Sequence, residues 1–241
     1  MLSFLVKTEK RVSHPDFGEY TIVRGGKGSS VRLTVHIKRG VRVKIPYLSP
    51  FSEGERFVNS RVDWIKKALE RQGKRADRFR IQMNYGDEIP LTEGVIRFEQ
   101  TQLSNIKITH TSPGAWTIFY PENSGTEPVK EAVIKILRRA AKEYLPQRLE
   151  YFANEYGFKY TKVFLKNNSS NWGSCSSKGN INLNIHLMRL PVKVCDYIII
   201  HELCHLKYRN HGEKFHEMVN RLCGGKEKEL TRELRKYNPE M

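Results

Sequence analysis

Apolar and polar residues alternate through the first fifty positions. Tyr20-Thr21-Ile22-Val23 and Val31-Arg32-Leu33-Thr34-Val35-His36-Ile37 show this two-residue period, and Val41-Arg42-Val43-Lys44-Ile45 repeats it after a turn at Arg39-Gly40. In a strand that period places the apolar set on one face, so the stretch predicts an antiparallel meander. Gly25-Gly26-Lys27-Gly28-Ser29-Ser30 is followed by no Lys-Ser or Lys-Thr opening a helix, and reads as a hairpin loop rather than a phosphate cradle. The period then lengthens. Ser52 and Glu55 have capping-box spacing, and Phe57, Val58, Val62, Trp64, Ile65, Ala68 and Leu69 predict a helical apolar face, with Trp64 in the core, that stops near Gly73.

Strand-like runs recur around residues 80–83, 95–98, 105–109 and 116–120, and Pro121-Glu122-Asn123-Ser124-Gly125 is the best candidate boundary. From Glu127 a long helix carries Val129, Val133, Ile136, Leu137, Ala141 and Leu145 on one face, bends at Pro146 and continues towards Tyr156-Gly157. Strands at 160–166 and 179–185 flank a turn at Trp172-Gly173. A buried helix then spans about 191–208, with Pro191 where a first turn tolerates proline. A shorter helix, 212–222, stops at Gly224-Gly225, and a charged, exposed tail helix follows. No internal repeat is evident. The predicted class is α+β, with a small antiparallel β/α unit in residues 1–125 and a second, mainly helical domain with a short sheet in 126–241.

Composition narrows the picture. At 241 residues, 39% hydrophobic and 28% charged, the chain reads as a soluble globular protein; it has no apolar run of membrane-spanning length. The apolar start Met1-Leu2-Ser3-Phe4-Leu5-Val6 is too short for a secretory signal. Cys175, Cys195, Cys204 and Cys223 form no C-x-x-C pair, and a reducing cytoplasm is the expected location. Cys204 reads as core, Cys175 as the cysteine to test for a site role. The net charge of +16 draws polyanions, so a nucleotide or nucleic acid is a candidate partner. The basic residues are dispersed, however, with modest clusters at 71–80 and 138–139 and no helix-turn-helix or zinc-finger spacing.

The densest chemistry lies in His201-Glu202-Leu203-Cys204-His205. On a helix, His201 and His205 project from one face a turn apart, as two ligands of one Zn²⁺ must. Glu202 lies about 100° round the helix, beside the metal, where a carboxylate can act as general base. A third ligand comes from His211, if the chain turns near Arg209-Asn210, or from Glu213 or Glu217. Imidazoles also accept Fe²⁺, Mn²⁺ or Co²⁺.

Asn171-Trp172-Gly173-Ser174-Cys175-Ser176-Ser177-Lys178-Gly179-Asn180-Ile181-Asn182-Leu183-Asn184, with Asp196-Tyr197, the His201–His205 motif and Leu206, Asn210-His211 and Phe215, resembles the YgjP-like predicted metal-dependent hydrolases. These are zincin metallopeptidase-like domains related to the SprT and WLM groups. The resemblance implies a zincin-like second domain, metal ligands His201, His205 and His211, and a catalytic Glu202. Two positions depart from it: Asn171 stands where the family usually has arginine, and His216 where it has tryptophan.

The leading expectation is a zinc-dependent metallopeptidase acting on a peptide or protein substrate. Residues 180–185 offer a strand edge to the substrate backbone. Asn182 and Asn184 either hold the substrate or satisfy backbone groups, and Tyr197, Tyr208 or Asn210 is the candidate oxyanion donor. The alternatives are a nucleoside-triphosphate pyrophosphohydrolase and a non-catalytic, zinc-stabilised nucleic-acid-binding module.

Overall fold

The computed structural model describes residues 8–25, 30–36, 39–78 and 81–240. Gly26 to Ser29 of the expected hairpin loop, Ile37 of the second expected strand and Arg80 of the expected run 80–83 lie outside the described residues. The chain divides into two compact units, residues 1–80 and 81–241.

The first unit contains β1 (Glu9–His14), β2 (Gly18–Arg24), β3 (Arg32–His36), β4 (Gly40–Ile45), α1 (Phe51–Asn59) and α2 (Val62–Arg78). Tyr20, Ile22, Val41, Val43 and Ile45 share one face of the sheet and are buried with Val58 and Ile65 of the helices. The sheet is not the expected antiparallel meander. β4 turns back along β3 and lies parallel to β2, which gives the order β1-β2-β4-β3. Alternation fixes the face a residue takes, and leaves open which strand lies beside it.

The helical pattern is also divided. Pro50 rather than Ser52 is the N-cap, α1 ends at Asn59, and α2 restarts at Val62 with a new phase. Ile65 is therefore fully buried and Trp64 is 47% exposed, which corrects its core assignment.

In the second unit β5 (Glu88–Leu91), β6 (Gly94–Gln100), β7 (Lys107–Ser112) and β8 (Ala115–Tyr120) form a sheet of order β5-β6-β8-β7. Its central pair, β6 and β8, is again parallel, between two antiparallel outer pairs. The two sheets share one topology, each followed by helix. This repeat resides in strand pairing, where a residue pattern does not display it.

The helix α3 (Thr126–Tyr156) runs through Pro146 without interruption and ends at Gly157, whose φ is 70°. Its Val133, Leu137, Ala141 and Leu145 join Ile96, Phe98 and Ile118 of the sheet in one core. The expected boundary at residues 121–125 therefore falls inside the second unit, and the break lies at residue 80. The apolar face of β5–β8 needs α3 to cover it.

After α3 come β9 (Lys162–Lys166), β10 (Gly173–Cys175), β11 (Asn180–Asn184), a 3-10 turn (Ile185–Arg189), α4 (Val192–Cys204), α5 (Glu213–Leu222) and α6 (Glu227–Leu234). Val194, Cys195, Ile198, Ile199, Ile200, Leu203 and Cys204 bury α4 on nearly every side. Its Asp196 is met by Arg148 of α3 through two hydrogen bonds of 2.7 Å. The expected exposed tail helix is in fact packed: Leu230 of α6 is buried, and Thr231 Oγ1 lies 3.0 Å from the Tyr197 hydroxyl on α4.

His186, in the 3-10 turn, is buried with its Nε2 2.8 Å from Asn167 Oδ1. Burial, then the charges of Arg189 and Lys130, push its pKa down to about 3. An unfolded histidine titrates near 6.5, so on acidification the unfolded chain takes up a proton that the folded chain refuses. The contribution to stability is intact above about pH 6.5 and is lost as the pH falls towards 3, by about 1.4 kcal/mol per pH unit. Urea titrations at a series of pH values should show this acid limb, and His186→Gln should flatten it. An unchanged slope would remove His186 as its source.

Candidate metal centre

The last turn of α4 carries His201, and its C-cap His205 keeps helical backbone angles (φ −66°, ψ −16°). Both imidazoles therefore stay on one side of the helix, as the four-residue spacing requires. The helix is shorter than expected. It ends at Cys204, and the chain tightens into a turn closed by Lys207 N and Tyr208 N, which both donate to the Cys204 carbonyl. That turn returns His211 to the helix end. Its Nε2 lies 3.1 Å from His201 Nε2, and candidate ligand atoms of His201, His205 and His211 all fall within 4.8 Å of one another. Glu213 and Glu217 are exposed and not in this group.

Each ring is held differently. His205 Nδ1 donates to the Tyr208 carbonyl at 3.0 Å, which leaves the Nε2 lone pair free for a cation. His201 Nδ1 is buried and has no hydrogen-bond partner among the described residues, so packing sets this ring. Phe215 supplies much of that packing. It is fully buried, with its centroid 4.9, 4.5 and 4.8 Å from those of His201, His205 and His211. Its role was not read from the sequence; the available signal is an aromatic residue four places after the third histidine, at the start of an amphipathic helix.

The donor set fits a divalent transition metal. Burial, then the neighbouring imidazoles, push His201 down to about 3, and burial lowers His205 as well. Neutral imidazole is the form that coordinates. Two Nε2 atoms at 3.1 Å repel through their lone pairs unless a proton or cation lies between them. Around a tetrahedral zinc with bonds of about 2.0–2.1 Å, adjacent nitrogens stand about 3.3 Å apart.

Glu202 lies against Gly173 of β10. It is 6% exposed, and burial pushes its carboxyl up to about 8. A Cβ on Gly173 would lie 2.7 Å from both Cγ and Oε1 of Glu202. The glycine of the Trp-Gly-Ser-Cys stretch is thus a space requirement, set by a residue 29 positions further on.

Other expected site residues fall elsewhere. Strand β11 lies at the centre of its sheet, parallel to β9 and antiparallel to β10, so residues 180–185 have no free edge; β10 is the edge strand beside it. Asn184 is buried and its amide is spent: Nδ2 donates to the carbonyls of Asn168 and Asn171, and Oδ1 accepts from His186 N. Asn182 donates to Ser174 Oγ on β10 at 3.0 Å. Asn171 donates to the Gly173 carbonyl, which ties the preceding loop to the edge strand. Tyr197 is buried against His201 with its hydroxyl on Thr231, and Asn210 is exposed. His216 Nδ1 lies 2.6 Å from Glu227 Oε1, with its ring centroid 6.3 Å from that of His211.

Three histidines and a buried carboxylate at the end of one helix make a candidate metallohydrolase centre. The family described as YgjP-like, metallopeptidase domain, matches residues 29–237, and the chain belongs to that family. Membership supports a metal-dependent hydrolase. The crystal structure of the metallopeptidase zymogen of Pyrococcus abyssi abylysin is 27% identical over 38% of this chain and 92% of its own, with a TM-score of 0.34. No curated protein matches. The α+β architecture agrees with the expectation, and none of the described helices is long and apolar enough to cross a membrane.

Elemental analysis should find about one metal ion per chain, lost in both His205→Ala and His211→Ala. Phe215→Leu should keep the ligands but weaken zinc by roughly 10-fold or more in a chelator competition, because the support behind the rings is lost. Unchanged affinity would show that the rings need no such platform.

Proposed function

We propose that the protein is a zinc-dependent peptidase in which His201, His205 and His211 hold the metal and Glu202 is the general base. The observation that carries this reading is the convergence of the three imidazoles beside a buried carboxylate that no cation pairs among the described residues. A divalent ion held there would supply Lewis acidity, activating water and polarising the scissile carbonyl.

The chain's own groups do the rest. Glu202, wedged against Gly173, takes a proton from the attacking water and delivers it to the leaving amine. The peptide would lie along β10, which pairs with β11 on one side only, and extend that sheet by a strand. Asn171, Asn182 and Arg209 brace this edge. Arg209 donates to the carbonyls of Ser176 and Ser177 in the β10–β11 turn, at 2.6 and 3.0 Å. Asn184 and Tyr197 act behind the site, Asn184 through the loop before β10 and Tyr197 by backing His201. A reducing cytoplasm suits four free cysteines, two of them fully buried.

The test is turnover of an unstructured peptide library, read by mass spectrometry, with nucleoside triphosphates assayed alongside. Glu202→Gln should retain metal and lose peptide cleavage by a factor of about 10²–10⁴, the usual weight of a positioned base. Full activity in that variant, or cleavage of triphosphates alone, would refute the reading. Gly173→Ala should retain metal while cutting kcat by roughly 10²-fold, since it displaces the carboxylate by a fraction of an ångström or more.

A further inference from the structure

The net charge is unevenly shared between the two units. Residues 1–80 hold 19 Lys and Arg against 8 Asp and Glu, a net of +11, while residues 81–241 hold 23 against 18, a net of +5. Within the first unit, strand register shows where part of this charge sits. The helices cover the face of Val41, Val43 and Ile45, so Arg42 and Lys44 point to the opposite, open face. Partners in register share a face: Thr34 and Thr21 flank Arg42, Arg11 lies beyond Thr21, and Arg32 is paired directly with Lys44. All four cations are exposed, and among the described residues Arg11, Arg32 and Lys44 have no ion pair.

This arrangement is costly to the fold. Arg32 and Lys44 stand opposite one another on neighbouring strands, about 5 Å apart at Cβ, where like charges destabilise a sheet. Arg42 is about 7 Å along the strand from Lys44. It pairs with the exposed Glu9 at 3.9 Å, a solvent-screened contact of small worth, and by register Glu9 and Glu19 share this face, which leaves four cations against two carboxylates. A cluster of cations that repel each other on an open face is relieved by a partner carrying closely spaced negative charges. The four strands place no Phe, Tyr or Trp on this face, so nothing there stacks on bases; the threonines between the cations offer only short hydroxyl donors.

We propose that the open face of β1–β4 binds the phosphodiester backbone of a nucleic acid, independently of its sequence, through Arg11, Arg32, Arg42 and Lys44. The proposal does not depend on the hydrolase reading, because no residue of the metal centre takes part.

The experiment uses the full chain and fluorescence anisotropy with labelled mixed-sequence 20-nucleotide DNA and RNA at several salt concentrations. Binding should weaken with salt, with a slope of log K against log[salt] near −2 to −3 for three or four phosphate contacts to a single strand. The triple variant Arg32→Gln, Arg42→Gln, Lys44→Gln should lose affinity at least 10-fold and flatten the slope by about 2. Its melting temperature should be unchanged or higher, since the repulsion is removed, and this separates lost binding from lost folding. A second triple variant, Lys66→Gln, Lys67→Gln, Arg71→Gln, removes the same charge from α2 and should bind as wild type does. Equal losses in both variants would show diffuse attraction and overturn the proposal. So would the absence of salt-dependent binding in wild type, or vesicles containing phosphatidylserine that bind as tightly as the oligonucleotides and share the same dependence on Arg32, Arg42 and Lys44.

Discussion

Helix α4 is buried on nearly every side, yet it carries two imidazoles and a carboxylate at its C-terminal end. The second unit is arranged round that conflict. The helix α3 neutralises Asp196 with Arg148. The helix α6 receives the Tyr197 hydroxyl on Thr231. The edge strand β10 makes room for Glu202 with a glycine. Buried polar groups cost several kcal/mol each when unmet, so every one on α4 constrains a neighbour. On α4, what stays unmet lies at the helix end: His201 Nδ1 has no partner, and the buried Glu202 carboxyl no cation, among the described residues.

Phe215 and the turn after His205 explain why those imidazoles converge. The turn is fixed by backbone bonds to Cys204 and by the Tyr208 carbonyl, which also orients His205. Phe215 then packs against all three rings, so the positions of the imidazoles are set by packing together with the Tyr208 contact. Preorganisation of this kind lowers the ordering cost that a cation would otherwise have to offset.

The two sheets share one topology, and each buries one face under helix. In the second unit the β5–β8 sheet is built into the core beneath α3. In the first, the sheet keeps an open face on which like charges face one another across β3 and β4. A fold that tolerates such repulsion gives up stability that a neutral or mixed-charge face would have kept.

The sequence by itself determined the local facts. The two-residue period gave the faces of β2, β3 and β4, and the four-residue spacing put His201 and His205 on one side of a helix; both depend only on backbone geometry within a few residues. The candidate third ligand and the family resemblance were also legible, because the motif residues are close together in the chain. Strand partners were not, since β2 and β4 pair across an intervening strand and alternation carries no record of neighbours. The unit boundary was misplaced for a similar reason: the turn at residues 121–125 looks like a linker until α3 is seen closing the core of β5–β8. Gly173 against Glu202, Phe215 beneath three rings and Asn184 tied to a distant loop are contacts between segments far apart in sequence. Only the tertiary structure decides those, because space, unlike periodicity, is shared among elements that the chain does not place in order.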